Sequence, residues 1–99
     1  MQVLVVSAGD DLLIERMEIC TQLWNAGIKA EFVMKRAAKL SAQFDYGGKM
    51  QIPYAVILGK SELQNNQVKI KELNALANDK GTLINRDEMV ADLKRLLRM

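Results

Sequence analysis

The chain has 99 residues, of which 49% are hydrophobic and 26% charged, and it carries a formal net charge of +2. This is the composition of one globular domain, so it excludes a disordered chain, and we expect neither a secretory signal nor a membrane span. A single cysteine excludes a disulfide framework or a thiolate metal site within one chain, and the lack of histidine removes the usual general base.

The first elements in chain order are a strand and a helix. The β-branched run at residues 3–6 predicts a strand buried on both faces. Asp10 and Asp11 stand where a helix N-cap and first turn favour carboxylates, and apolar periodicity predicts the helix over residues 11–25. The predicted inward face of this helix consists of Leu13, Ile14, Met17, Cys20, Leu23 and Trp24.

A glycine and a polar loop delimit the second predicted strand. Gly27 followed by apolar Ile28 is typical of a left-handed helix C-cap. Residues 29–34 predict a strand, with Ala30, Phe32 and Met34 on one side. Strand, helix and strand in this order predict a right-handed crossover between parallel strands, and residues 35–38 then predict a polar loop.

A second helix is predicted over residues 39–50. Leu40 and Phe44 form its inward side, and its outward side presents Lys39, Gln43 and Lys49. The pair Gly47-Gly48 weakens a helix by about 1 kcal/mol per glycine relative to alanine. We therefore expect this helix to be short, or frayed at its end.

The strand predicted at residues 54–58 is the centre of the fold. It is an unbroken apolar run that Gly59 ends, and turn-forming residues precede an alternating strand at residues 67–71. The two strands are predicted to form a hairpin-like pair. Glu62 then lies at the mouth of the central strand, while Lys69 and Lys71 project from one face of its partner.

The last third of the chain predicts a loop, an edge strand and a helix. Residues 72–80 are polar and poorly periodic, residues 81–84 predict a short strand, and Asn85 followed by Glu88 predicts a capped helix start. The apolar face of the final helix consists of Met89, Val90, Leu93, Leu96 and Leu97. The fold class predicted is α/β: a mixed five-stranded sheet, with three parallel strands plus antiparallel edge strands, and three helices.

The charge is distributed unevenly along the chain. Residues 35–71 hold seven basic and two acidic side chains, a net charge of +5, whereas the remaining residues hold seven basic and ten acidic side chains, a net charge of −3. A basic middle on a nearly neutral domain is typical of a surface that meets phosphates. A lysine-rich face that is only solvated explains the same pattern.

Enzymatic motifs are missing from the sequence. Without histidine, and with no carboxylate pair other than the cap-like Asp10-Asp11, no nucleophile, acid–base pair or metal cluster can be assembled. The loop after the first strand matches neither glycine-rich phosphate-binding pattern. A phosphoacceptor receiver domain needs an aspartate after the third strand, where this chain has Leu58-Gly59-Lys60.

Two segments carry a resemblance to a known family. LW-x-AGIKAE at residues 23–31 and IP-x-AVILG-x-x-EL at residues 52–63 resemble the C-terminal anticodon-binding domain of class II aminoacyl-tRNA synthetases. The eukaryotic-type histidyl-tRNA synthetases are the most similar members, and the likeness extends over nearly the whole chain. It implies that the 99 residues are one domain, the C-terminal domain of a larger chain, that grips a splayed anticodon loop.

The resemblance also implies RNA-binding roles for particular residues. Glu62 would accept hydrogen bonds from a base, Lys71 would donate to a base or phosphate, and Lys39 with Gln43 would line the other wall of the pocket. Ser7 and Ala8 would offer backbone contacts, and Lys69 is a weaker candidate. The alternative for Glu62 is a solvated turn residue paired with Lys60 or Lys69, which is a surface salt bridge worth little.

The family implies no catalysis, metal or cofactor for the domain itself, and ATP and Mg for the full-length parent enzyme. The implied partner is a tRNA anticodon stem-loop, tRNA-His in a histidine enzyme, with a homodimeric, cytoplasmic parent and no membrane. Two alternatives stay open at this point. One is the synthetase-like region of the amino-acid-starvation kinase, which senses uncharged tRNA, and the other is a protein–protein docking module.

Overall fold

The computed structural model describes residues 1–8, 12–33, 39–73 and 81–99. In chain order the elements are β1 (Val3–Ser7), α1 (Leu13–Asn25), β2 (Ala30–Phe32), α2 (Leu40–Lys49), β3 (Tyr54–Leu58), α3 (Lys60–Gln64), β4 (Gln67–Glu72), β5 (Thr82–Asn85), a 3-10 turn (Arg86–Glu88) and α4 (Met89–Leu97). No helix in these ranges has the length and apolar character needed to cross a bilayer.

The strands form one mixed sheet in the order β2-β1-β3-β4-β5. β1 is parallel to β2 and β3, whereas β4 is antiparallel to β3 and β5. The helical crossovers α1 and α2 return the chain to the same sheet edge, which makes the first three strands parallel. The predicted α/β fold with a mixed five-stranded sheet is therefore confirmed.

Alternation along the buried strands divides the core into two layers. On one face of the sheet, Val3 and Val5 belong to a core with residues of α1 and α4. On the other face, Leu4 and Val6 pack with Leu40 and Phe44 of α2. Since successive side chains of a strand point to opposite faces and both faces of β1 are covered, residues 3–6 have to be apolar at every position.

Local signals at two helix ends work as predicted. Gly27 has a left-handed φ of 83°, its N–H donates to the Trp24 carbonyl, and the Ile28 N–H donates to the Leu23 carbonyl. This is the bonding pattern of a glycine C-cap with its apolar contact. At the other end of the chain, the Asn85 side chain accepts from the Asp87 N–H at 2.9 Å and caps the turn that leads into α4.

The predicted inward face of α1 is partly wrong. Cys20 and Leu23 are buried as expected, but Ile14, Met17 and Trp24 are 60%, 45% and 51% exposed. The buried residues of this helix are Arg16, Ile19, Cys20 and Leu23. The face was misplaced because a fully buried arginine lies on it, and Arg16 satisfies part of its guanidinium by donating to the Val33 carbonyl at 2.7 Å.

The remaining elements differ from expectation in extent. α2 continues through both Gly47 and Gly48, and a fourth helix, the five-residue α3, occupies part of the predicted β3–β4 turn. β2 has only three residues. The Asp10-Asp11 cap, Met34, the loop at residues 35–38 and residues 74–80 lie outside the described residues.

Candidate nucleic-acid interface

Several candidate residues gather at the carboxyl edge of the parallel strands. Ser7 ends β1 and lies in register with Leu58, which ends β3. Gly59 then leads directly into α3, and Glu62 lies in the first turn of that helix. Because the carboxyl ends of parallel strands lie at the same side of a sheet, Ser7, Gly59 and Glu62 share one edge.

Gln43 and Ser7 are buried beneath the surface of the carboxyl edge. The Gln43 Oε1 accepts from the Ser7 N–H at 3.0 Å, and its Nε2 donates to the Ser7 carbonyl at 3.0 Å. Gln43 is 0% and Ser7 3% exposed, so the prediction that Gln43 points outward from α2 is wrong. Their direct RNA contacts stay predictions, and the geometry gives the pair a structural role in attaching α2 to β1.

Ala8 follows Ser7 and remains at the surface. Its N–H donates to the Leu58 carbonyl at 2.8 Å, so that donor extends the ladder between β1 and β3 and does not face solvent. The Ala8 carbonyl lies 3.7 Å from the point where a Cβ of Gly59 would stand. The Ala8 N–H is therefore not free to bind a ligand, and a contact through the Ala8 carbonyl stays a prediction.

The carboxylate of Glu62 folds back over the end of β3. Its Oε2 lies only 2.8 Å from the ideal Cβ position of Gly59. Among the residues that the structure describes, neither Lys60 nor Lys69 forms an ion pair with it, and the one such pair joins Arg95 and Asp92. The predicted ion pair of Glu62 with Lys60 or Lys69 is therefore not formed, and no other lysine of the described residues pairs with its oxygens.

The two lysines of β4 lie on the same sheet face as α2. Lys69 pairs in register with Ile57 and Lys71 with Ala55, and Ile57 packs with the core beneath α2. The Lys71 Nζ lies 4.7 Å from the centroid of the Phe44 ring, which is a cation–π contact. Phe44 thus keeps the ammonium group of Lys71 close to α2.

This sheet face is open beyond α2. Leu83 of β5 pairs with Lys69 and is 49% exposed, so apolar surface adjoins the lysines. We call this surface the open face and define it by Gln67, Lys69, Lys71, Leu83 and Asn85. Sequence reasoning missed Leu83 and the role of Phe44, although strand alternation places Leu83 beside Lys69 once the register is known.

Lys39 and Lys49 stand at opposite ends of α2. Lys39 precedes the helix in extended conformation and is exposed at the same end as Gln43, whereas Lys49 is the last helical residue. A ten-residue helix separates them by about 15 Å. The structure therefore brings Lys39 to the carboxyl edge and leaves Lys49 away from it.

Two buried or bonded groups elsewhere have shifted pKa values. Burial, with a smaller contribution from Glu31, raises the pKa of the Cys20 thiol to about 12. The Tyr46 hydroxyl donates to Glu31 Oε2 at 3.0 Å, and that hydrogen bond raises the pKa of Tyr46. Across the described ranges, no three His, Cys, Asp or Glu side chains lie close enough to hold a metal ion.

A family comparison decides which class of domain this is. The model of the family described as anticodon binding domain matches residues 2–96. The chain belongs to the anticodon-binding domain family. A sheet edge that carries Lys39 and a carboxylate without a lysine partner among the described residues is consistent with such a domain, since unpaired nucleotides expose donor groups and phosphates.

Curated relatives of this anticodon-binding domain are histidine–tRNA ligases. The cytoplasmic enzyme of Takifugu rubripes is 40% identical over 94 residues, which are 95% of this chain and 18% of that protein. The mitochondrial enzyme of Mus musculus is 36% identical over 96 residues, 97% of this chain and 18% of that protein. The chain thus spans about a fifth of the length of these relatives.

Solved structures share the fold of the domain. Histidyl-tRNA synthetase from Nostoc sp. PCC 7120 superposes with a TM-score of 0.84 at 25% identity, covering 97% of this chain and 22% of that one. The RNA-binding domain of threonyl-tRNA synthetase from Cryptosporidium parvum gives a TM-score of 0.80 at 15% identity, over 95% of this chain and 23% of that one. The second likeness shows the fold alone.

Proposed function

We propose that this domain binds the anticodon loop of tRNA-His as the C-terminal domain of a histidine–tRNA ligase. The observation that carries the proposal is the carboxylate of Glu62 at the carboxyl edge, which pairs with no lysine of the described residues, within a chain that matches the anticodon-binding family over residues 2–96. Relatives with 34–40% identity are histidine–tRNA ligases, which supports histidine as the amino acid of the parent enzyme.

Recognition follows from the chemistry of unpaired nucleotides. A base splayed from the loop exposes amino and imino donors, and the Glu62 carboxylate accepts from them. Lys39, Lys69 and Lys71 hold the phosphates of the loop, a contact that positions the RNA without reading its sequence. Leu83 offers exposed apolar surface on which a base can pack.

The parent enzyme would join histidine to tRNA in an ATP- and magnesium-dependent reaction as a homodimer. In this proposal the domain contributes affinity and anticodon discrimination, and it catalyses nothing and needs no cofactor by itself. We place the parent in the cytoplasm, as for the relative from Takifugu rubripes, although the relative from Mus musculus is mitochondrial.

Binding to short RNA hairpins tests the proposal directly. The chain is titrated into fluorescently labelled anticodon stem-loops at fixed salt, one with the tRNA-His anticodon and one with the three anticodon bases replaced. We expect tighter binding of the first hairpin by about tenfold or more, since each lost base contact costs about 1 kcal/mol or more. Equal affinity for the two hairpins would refute anticodon recognition.

A further inference from the structure

The glycine at position 59 is not explained by its backbone conformation. Gly59 has φ −149° and ψ 172°, which is extended backbone that any residue adopts. By contrast, Gly27 and Gly81 have left-handed φ values of 83° and 85° and need glycine for that reason.

The space beside Gly59 is taken by the carboxylate of Glu62. A Cβ at position 59 would lie 2.8 Å from Glu62 Oε2 and 3.6 Å from Glu62 Cδ, and the Ala8 carbonyl oxygen would lie 3.7 Å away. A separation of 2.8 Å is too short for a carbon–oxygen contact, so any side chain here displaces the carboxylate. The missing side chain of Gly59 is what lets Glu62 lie against the end of β3.

We propose that Gly59 is a positioning residue for anticodon recognition: it leaves the space that the Glu62 carboxylate occupies at the carboxyl edge of the sheet. The proposal rests on the proposed function. A carboxylate that lies against the end of β3 presents its oxygens at this edge, where the donor groups of an unpaired base can reach them. Preorganised acceptors bind more tightly because less side-chain freedom is lost on association.

Replacing Gly59 with alanine is expected to move Glu62 without unfolding the domain. The close contact is with the far end of a flexible side chain, and alanine adopts the observed φ and ψ without strain. Gly48 provides the matched control, since a Cβ there meets nothing within 4 Å. A crystal structure of Gly59→Ala should show the Glu62 carboxylate displaced from the end of β3.

A double-mutant cycle tests whether Gly59 acts through Glu62. Affinity for the tRNA-His anticodon hairpin is measured for Gly59→Ala, Glu62→Ala, the double variant and Gly48→Ala. We expect Gly59→Ala to weaken binding by about tenfold, the scale of a charge-assisted hydrogen bond, and to change it less than about twofold when Glu62 is already alanine. Gly48→Ala should bind as the unchanged chain does.

The outcomes separate this inference from the proposed function. If Glu62→Ala weakens binding but Gly59→Ala does not, or if Gly59→Ala acts equally in both backgrounds, the positioning role is overturned and anticodon binding stands. If the unchanged chain does not bind the hairpin, or if Glu62→Ala binds as tightly as the unchanged chain, both the role of Glu62 in the proposed function and this inference are overturned.

Discussion

Gln43 on α2 and Ser7 at the end of β1 are joined by two hydrogen bonds through the side-chain amide of Gln43. Both bonds measure 3.0 Å and both residues are buried. The amide thus bonds the N–H and the carbonyl of Ser7 as a neighbouring strand would. It thereby attaches the first turns of α2 to the carboxyl edge. The position of Lys39 relative to Ser7 depends on this attachment.

Replacing Gln43 with leucine should therefore destabilise the domain. The change leaves the buried N–H and carbonyl of Ser7 without these partners, and each unsatisfied group costs about 1–3 kcal/mol. We expect the free energy of unfolding to fall by about 2–4 kcal/mol in urea denaturation. Ser41→Ala, an exposed change on the same helix, serves as the control and should stay within about 0.5 kcal/mol. If Gln43→Leu also lowered the free energy of unfolding by no more than about 0.5 kcal/mol, the structural role of Gln43 would be contradicted.

The two adjacent glycines of α2 should respond oppositely to alanine. A Cβ at Gly47 would lie 2.9 Å from Leu73 Cδ1 and 3.0 Å from Leu4 Cδ2, whereas a Cβ at Gly48 would meet nothing within 4 Å. Gly48→Ala should raise the free energy of unfolding by about 0.5–1 kcal/mol through helix propensity. In Gly47→Ala overpacking costs about 1–3 kcal/mol and outweighs that gain. Parallel denaturation of the two variants checks this, and equal stabilisation would show that α2 has room above Leu4.

The thiol of Cys20 should make stability fall with pH in the alkaline range. Burial raises its pKa from 9.0 to about 12, so between these values the unfolded chain releases the proton and the folded chain keeps it. The unfolded state then binds fewer protons, and the free energy of unfolding falls by up to about 1.4 kcal/mol per pH unit. Denaturation curves between pH 8 and 10.5 should show this slope.

A comparison with Cys20→Ala separates the contribution of the thiol to the alkaline slope from the contribution of the lysines. The variant should lose the part of the alkaline slope that Cys20 causes, while lysine contributions stay common to both chains. The native thiol should also react slowly with a disulfide reagent at pH 8 and rapidly in denaturant, because it is fully buried. Rapid labelling of the folded chain would contradict the burial of Cys20.

Glu62 and Lys49 should differ in how they affect RNA binding. Glu62→Ala should weaken the cognate hairpin more than a hairpin with a changed anticodon, because only the carboxylate reads a base. Lys49→Ala should change affinity similarly for all tRNAs, since Lys49 is the last residue of α2 and lies away from the carboxyl edge where Glu62 would read a base. Fluorescence titrations with both hairpins measure the two ratios. Equal effects of Glu62→Ala on cognate and non-cognate loops would refute its role.

Affinity should fall steeply with salt, and the lysines of the open face should carry part of that dependence. Lys69→Ala and Lys71→Ala should each reduce the slope of log affinity against log salt by about 0.7, the value for one phosphate contact on single-stranded RNA. Lys29 is exposed before β2, at the opposite end of the strands, so Lys29→Ala should leave the slope unchanged. A reduction by Lys29→Ala as large as that by Lys71→Ala would show that the binding is not confined to the carboxyl edge and the open face.

Features that depend on neighbouring residues were predictable from the sequence. The apolar runs that become β1 and β3 are buried, Gly27 is a left-handed cap, and Asn85 caps the turn before α4. Backbone conformation, capping and strand burial act over a few residues, so their signals are present in short windows of sequence. The same holds for the resemblance to the anticodon-binding family, which rests on contiguous motifs.

Features that depend on distant residues were not predictable. The arginine buried on α1 shifted its inward face, because the carbonyl of Val33 that satisfies Arg16 lies 17 residues away along the chain. A glutamine assigned to the surface of α2 is buried, because its partner Ser7 lies 36 residues away. A sequence pattern alone assigns polar side chains at such positions to the surface, because the buried partners that satisfy them are not known.

The sequence by itself determined the α/β class, the strand runs, two helix caps and the family of this domain, since each depends on local pattern. Only the tertiary structure decided that Gln43 faces inward, that Glu62 has no lysine partner among the described residues and that its carboxylate occupies the space beside Gly59. These relations depend on which strand ends and helix turns become neighbours, and that proximity is a property of the folded sheet.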